Sequence, residues 1–257
     1  MLAVPRRRIA LRNFQLCFPE ASAAQHRAWV RETFVYFCQA FLDRSWLWSA
    51  PEEVVRARVK LEGAVHELDG TAPTILFAPH FYGMDAGGLA LPLHTQRPFT
   101  SIFSTHPNPV LDAWFMAGRQ RFGEVKMLNR DDGVKPIIAN LRQGGLLYLL
   151  PDMDFGRRDS IFVPFFGIQT ATITGLSRLA KAAGAAVVPC VTRMLPGGQG
   201  YRVEIGDAWA DFPSEDIEAD TARMNAWIEA KIRTMPEQYY WVHRRFKTRP
   251  IGEPKPY

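Results

Sequence analysis

The chain has 257 residues, 47% of them apolar and 22% charged, with ordinary glycine and proline content and only three cysteines. That composition excludes disorder, collagen and disulfide scaffolds, and it supplies enough apolar material for one large core. The formal charge of +5 concentrates at the ends, in Arg6, Arg7, Arg8 and Arg12 and in His243, Arg244, Arg245, Lys247 and Arg249. Basic clusters beside Tyr239, Tyr240 and Trp241 suit an anionic membrane surface better than nucleic acid, since no nucleic-acid module is visible. A solvated basic tail is the plainer reading of either cluster. Cys17, Cys38 and Cys190 are odd in number and far apart, so they read as reduced core residues. The charge-free runs, such as Thr33 to Leu42, are too short for a membrane span, and the N-terminus lacks the apolar core of a secretory signal.

In chain order, residues 24–48 place Val30, Phe34, Phe37, Cys38, Phe41 and Leu42 at helical spacing, an aromatic stripe that packs on a core or lies in a membrane interface. A short helix is expected over EEVVRARVKLEG, ending at Gly63. The run TILFA between prolines, Thr74 to Ala78, predicts a buried strand. Strands at 99–103, 125–128 and 146–150 then alternate with helices at 87–94, 110–122 and 133–142. A loop is expected over 152–171, followed by a helix at 172–183, a strand AVVPCVTRM, a PGGQG hairpin turn, a strand YRVEIGDAW and a helix at 216–233. Alternating strands and helices imply an α/β fold with a mostly parallel central sheet flanked by helices. One domain is expected, residues 1–63 forming an N-terminal amphipathic helical, membrane-facing portion and 64–257 the catalytic portion.

His80 follows the first buried strand, where open α/β sheets bind ligands, and HFYGMD puts Asp85 five residues further on. With His80 in the loop and Asp85 in the first helical turn, the carboxylate can reach one ring nitrogen and leave the other free as a base. The competing reading is a structural histidine and a helix-start aspartate. Leu150 to Gly167 brings Asp152, Asp154, Gly156 and two arginines ahead of Phe162, Phe165 and Phe166, a pattern suited to a substrate with a charged head and an apolar chain. D-x-D could hold Mg²⁺, but no phosphate-cradling loop accompanies it and no metal is expected. Arg130, also at a strand end, could bind phosphate. The motifs of dinucleotide, P-loop, zinc-protease and hydrolase-elbow sites are missing.

Taken together, HFYGMD, LNRDDGVKPIIANLRQGGLLYLLPDMDFG, IFVPFFGIQTATITGLSRLAKAAGAAVVP and PEQYYWVHRRFKTRP resemble the late acyltransferases of lipid A biosynthesis, within the lysophospholipid acyltransferases that carry H-x4-[DE]. The resemblance runs from about Arg6 to Pro250. It implies a glycerolipid acyltransferase-like fold and direct acyl transfer from an acyl carrier protein thioester to a hydroxyl of a phosphorylated glycolipid, without metal or cofactor. It further implies His80 as base, Asp85 as its orienting acid, and Arg130 on a phosphate or at the reacting centre. The segment Asp152, Asp154, Phe155, Gly156 would shape the acceptor site, and Val188 and Pro189 a wall of the acyl pocket. Membrane partners would be anionic, at the cytoplasmic face of the inner membrane. Relatives usually open with an apolar anchor ahead of the arginine-rich segment, whereas this chain begins MLAVPRRR; either the true start lies upstream or attachment is peripheral. Neighbouring expectations are a lysophospholipid or ornithine-type acceptor, a thioesterase, and a non-catalytic membrane-binding relative.

Overall fold

The computed structural model describes residues 4–257. Seven strands form one sheet in the order β1-β9-β8-β2-β5-β3-β4, and β6 pairs with β7 in a separate hairpin. The strands are β1 (Val59–Gly63), β2 (Thr74–Phe77), β3 (Phe99–Phe103), β4 (Val125–Asn129), β5 (Leu146–Leu149), β6 (Ser160–Phe165), β7 (Ile168–Ile173), β8 (Ala186–Met194) and β9 (Tyr201–Ile205). Every pairing in the large sheet is parallel except β8 with β9, which the PGGQG turn joins. The mostly parallel α/β sheet expected from the alternation is therefore present.

Among the described residues, eight α-helices flank it: α1 (Val4–Cys17), α2 (Ala23–Leu47), α3 (Glu52–Arg58), α4 (Met84–Ala90), α5 (Pro109–Arg119), α6 (Lys135–Arg142), α7 (Gly175–Ala183) and α8 (Ile217–Thr234). β2 and β5 are buried at every position because both faces of the sheet are covered. Their side chains alternate between two cores. Ile75, Phe77, Leu147 and Leu149 pack toward α1, α7 and α8, while Leu76 and Tyr148 pack toward α4.

Three expectations need correction. EEVVRARVKLEG is not one helix: it turns from α3 into β1, which joins the sheet beside β9. The loop expected over 152–171 contains the β6–β7 hairpin, and its two-residue turn needs positive φ at both Phe166 (50°) and Gly167 (72°). Cys38 is exposed rather than part of the core, unlike Cys17 and Cys190. The aromatic stripe of α2 divides. Val30 is buried and Phe34 packs against the core, whereas Phe37, Phe41 and Leu42 are 39%, 46% and 66% exposed, so only part of the stripe serves the core. Among the described residues no helix is long and apolar enough to cross a membrane.

Candidate active site

β2 and β5 run side by side with Phe77 opposite Leu149. Each ends in a short apolar step and a proline, so the residue three positions beyond Phe77 is His80 and the residue three beyond Leu149 is Asp152. The parallel register carries the two side chains to the same end of the sheet. His80 Nδ1 lies 2.6 Å from Asp152 Oδ1, and the His80 backbone N–H donates to Asp152 Oδ2 at 3.0 Å. The C-terminal segment straps this corner down. Tyr240 N–H donates to His80 O, Tyr82 N–H donates to Gln238 O, and Phe81 pairs with Tyr239 across an antiparallel bridge.

Asp152 is fully buried, and the hydroxyl of Tyr239 donates to its Oδ2 at 2.8 Å. Burial works to raise its pKa, but the charge on His80 and the hydrogen bonds from His80 and Tyr239 outweigh it, holding the carboxyl below the usual range. An ionised Asp152 only accepts, so Nδ1 of His80 is the ring nitrogen that donates to it, and in the neutral tautomer this selects the lone pair falls on Nε2. Nε2 makes no hydrogen bond among the described residues, and His80 lines a cavity of about 1140 Å³.

Asp85 does not meet His80, contrary to expectation. Its carboxylate is clasped by two guanidinium forks. Arg44 of α2 donates to Oδ2 from Nε at 2.8 Å and Nη2 at 2.5 Å, and Arg119 of α5 donates to Oδ1 from Nε at 3.2 Å and Nη2 at 3.1 Å. Burial again opposes ionisation, and the two arginines overcome it, so this carboxyl too sits below its ordinary value. The physical reason for the exchange of roles is geometric. Asp85 opens α4 and faces two other helices, whereas Asp152 leaves the strand adjacent to the one that bears His80. Asp85 and Arg119 both line the cavity.

Arg130 and Phe155 line the cavity together, with the guanidinium carbon 4.2 Å from the ring centroid. Arg119, Arg158 and Arg178 add further positive charge, while Phe99, Phe103, Met127 and Leu149 supply apolar wall. The other expected contributors stand elsewhere. Asp154 is buried, accepting from Gly156 N, Thr248 N and Thr248 Oγ1, and so ties the 152–156 loop to the C-terminal segment. Gly156 permits that turn through its φ of 95° and is not among the cavity's lining residues. Val188 and Pro189 are buried within β8 and do not reach the cavity, because β2 stands between β8 and β5 in the sheet. Nor do Phe162, Phe165 and Phe166 form its wall; Phe165 is fully buried in the core between Phe166, Tyr239 and Phe246.

Sequence reasoning missed Arg44, Arg119, Tyr239 and His243 as parts of this region. His243 Nε2 accepts the backbone N–H of Asp154 at 3.1 Å, and burial, aided by Arg245 and Lys247, pushes its pKa down to about 4. The neutral imidazole this implies is the form that can accept. The one available signal for the Asp152 partnership was the matching proline–polar ending of the two strands.

The model of the family described as bacterial lipid A biosynthesis acyltransferase matches residues 2–248. The chain is 36% identical over 256 residues to the lipid A biosynthesis lauroyltransferase of Escherichia coli (strain K12), covering 98% of this chain and 82% of that protein. It is 35% identical over 255 residues to a lipid A biosynthesis acyltransferase of Haemophilus influenzae, covering 98% and 79%. It is 32% identical over 256 residues to the E. coli lipid A biosynthesis palmitoleoyltransferase, covering 96% and 81%. With a strand-end histidine on an arginine-lined, apolar-walled cavity and a family match over nearly its whole length, the chain belongs to the bacterial lipid A biosynthesis acyltransferases.

Proposed function

We propose that this enzyme transfers a fatty acyl chain from an acyl carrier protein thioester to a hydroxyl of a phosphorylated lipid A precursor, at the cytoplasmic face of the inner membrane. The observation that carries the reading is the His80–Asp152 pair opening onto the large cavity. Nε2 of His80 takes the proton of the acceptor hydroxyl while its oxygen attacks the thioester carbonyl. The carbon–sulfur bond breaks, and the imidazolium returns the proton to the departing thiolate. Asp152 fixes the tautomer and stabilises the imidazolium, the part assigned by resemblance to Asp85.

Asp85 acts in this reading as a positioning residue. By holding Arg119 in the cavity wall, it keeps a guanidinium on the same cavity as Arg130, and planar forks of that kind suit phosphate. The apolar lining accommodates the acyl chain. A seat on the bilayer is supported by the exposed apolar residues of α2 and α5, where Phe41 lies against Trp114 and Val35, Phe37, Leu42 and Val110 are open to solvent. Exposed arginines add attraction to anionic headgroups.

The test is a transfer assay with purified protein, acyl carrier protein thioesters of several chain lengths and a phosphorylated lipid A precursor, run beside His80→Ala. We expect transfer by the native protein and a loss of at least about 10²-fold in the variant. Thioester hydrolysis without transfer, or acylation of lysophospholipids alone, would reject the lipid A acceptor. Near-native transfer by a folded His80→Ala protein would reject the base.

A further inference from the structure

Between α1 and α2 lies a second cavity of about 870 Å³ that shares no residue with the one His80 lines. Its floor and walls are Val4, Val30, Phe34, Val35, Cys38 and Leu42. Val35 and Leu42 are 55% and 66% exposed, so folding leaves this apolar groove open. The charges along it are not evenly spread. Arg27 and Arg31 lie toward the start of α2 and Arg7 of α1 lines the same groove, whereas the α2 residues that line it beyond Arg31 are Phe34, Val35 and Cys38 before Gln39, and Leu42 before Asp43. All three guanidinium groups are exposed, and none forms an ion pair among the described residues. The acid at the far end is engaged, since Asp43 accepts from the Tyr201 hydroxyl at 2.7 Å.

We infer that this groove binds one anionic phospholipid of the bilayer, its phosphate on Arg7, Arg27 and Arg31 and one acyl chain along Val30, Phe34, Val35, Cys38 and Leu42. The dimensions agree. From Arg27 to Leu42 the helix rises roughly 22 Å at 1.5 Å per residue. An acyl chain spanning half of a hydrocarbon core about 30 Å thick covers roughly 15 Å, which leaves room for the headgroup at the arginine end. The polarity also agrees: a cationic mouth followed by an apolar channel complements an anionic head on an apolar tail, whereas a protein helix or a second copy of this chain would not require cations at one end only. The site is a bound-lipid seat, distinct from the reaction cavity, and it would hold α1 and α2 in register at the membrane surface.

The protein carries its own reporter. Cys38 is exposed in the groove, whereas Cys17 and Cys190 are buried. The rate of Cys38 alkylation by a maleimide is measured against increasing short-chain phosphatidylglycerol or short-chain phosphatidylcholine, each kept below its micelle-forming concentration. Phosphatidylglycerol is expected to protect Cys38 saturably and at lower concentration than phosphatidylcholine. Arg27→Gln/Arg31→Gln should weaken the phosphatidylglycerol protection by roughly 30-fold and narrow the preference between the lipids to what Arg7 alone supports. Leu42→Asp should abolish protection by both. Arg244→Gln/Lys255→Gln, which removes the same charge outside the groove, should leave protection unchanged. An alkylation rate insensitive to phosphatidylglycerol overturns the inference. So does protection that Arg244→Gln/Lys255→Gln weakens as much as Arg27→Gln/Arg31→Gln, or protection that follows protein concentration instead of lipid. The measurement involves no acyl transfer, so its result stands apart from the reading of the His80 cavity.

Discussion

His80 Nδ1 and Asp152 Oδ1 sit 2.6 Å apart although 72 positions separate them in the chain, while the acid of the H-x4-D motif is bonded to arginines. The carboxylate that sets the histidine's tautomer is thus supplied by the neighbouring strand. Asp152→Asn should lower acyl transfer by roughly 10²- to 10⁴-fold, because an amide can present its NH₂ to Nδ1 and leave the proton on Nε2. Turnover is measured with thermal melting as the control for folding. Transfer within about tenfold of the native rate, in a protein that melts normally, would sink the assignment.

Asp85 has a depressed pKa set against burial by Arg119 and Arg44, and its side chain is only 11% exposed. Its ionised form is stabilised on folding, so the contribution is present above the unfolded value near 3.8 and lost as pH falls through the lower folded value. Asp85→Asn leaves two arginines without their anion and should cost about 3 kcal/mol at neutral pH. Denaturant unfolding at a series of pH values should show that gap closing as pH falls from near 3.8 through the lower folded value, where the native carboxyl also becomes neutral. A gap that stays constant on acidification would mean packing, not charge, accounts for it.

His243 titrates in the folded protein at about 4, below its ordinary 6.5. Between those values the unfolded chain takes up a proton that the folded protein refuses, so stability falls as pH drops from 6.5 toward 4. The slope is at most about 1.4 kcal/mol per pH unit, less whatever solvent screening reaches the partly exposed ring. His243→Gln retains an acceptor for the Asp154 amide and should flatten the curve in that window alone. An unchanged slope would assign the acid sensitivity to other groups.

Much of this site is legible in the sequence. TILFA between prolines identified a buried strand ending at His80, and VKMLNR placed Arg130 at another strand end; both residues line the cavity. Short-range patterns served there because burial on both faces demands continuous apolar runs. The same patterns failed where a partner strand decided the outcome. VKLEG reads as the tail of a helix until β9 lies beside it, and SIFVPFFGIQTA reads as part of a loop because Pro164 and Gly167 interrupt it. The resemblance assigned Val188 and Pro189 to a pocket wall, but β8 is an interior strand between β2 and β9.

By itself the sequence determined the alternation of strands and helices, the family, and the histidine at the end of the first central strand, since each is written in local periodicity or contiguous motifs. Which acid would face that histidine was decided only by the tertiary structure. The register of β2 on β5 brings Asp152 to His80, and the packing of α2 and α5 against α4 draws Asp85 to Arg44 and Arg119. Hydrogen bonds and ion pairs are formed across space, at separations of 72 and 41 positions here, and no spacing within a motif encodes distances of that kind.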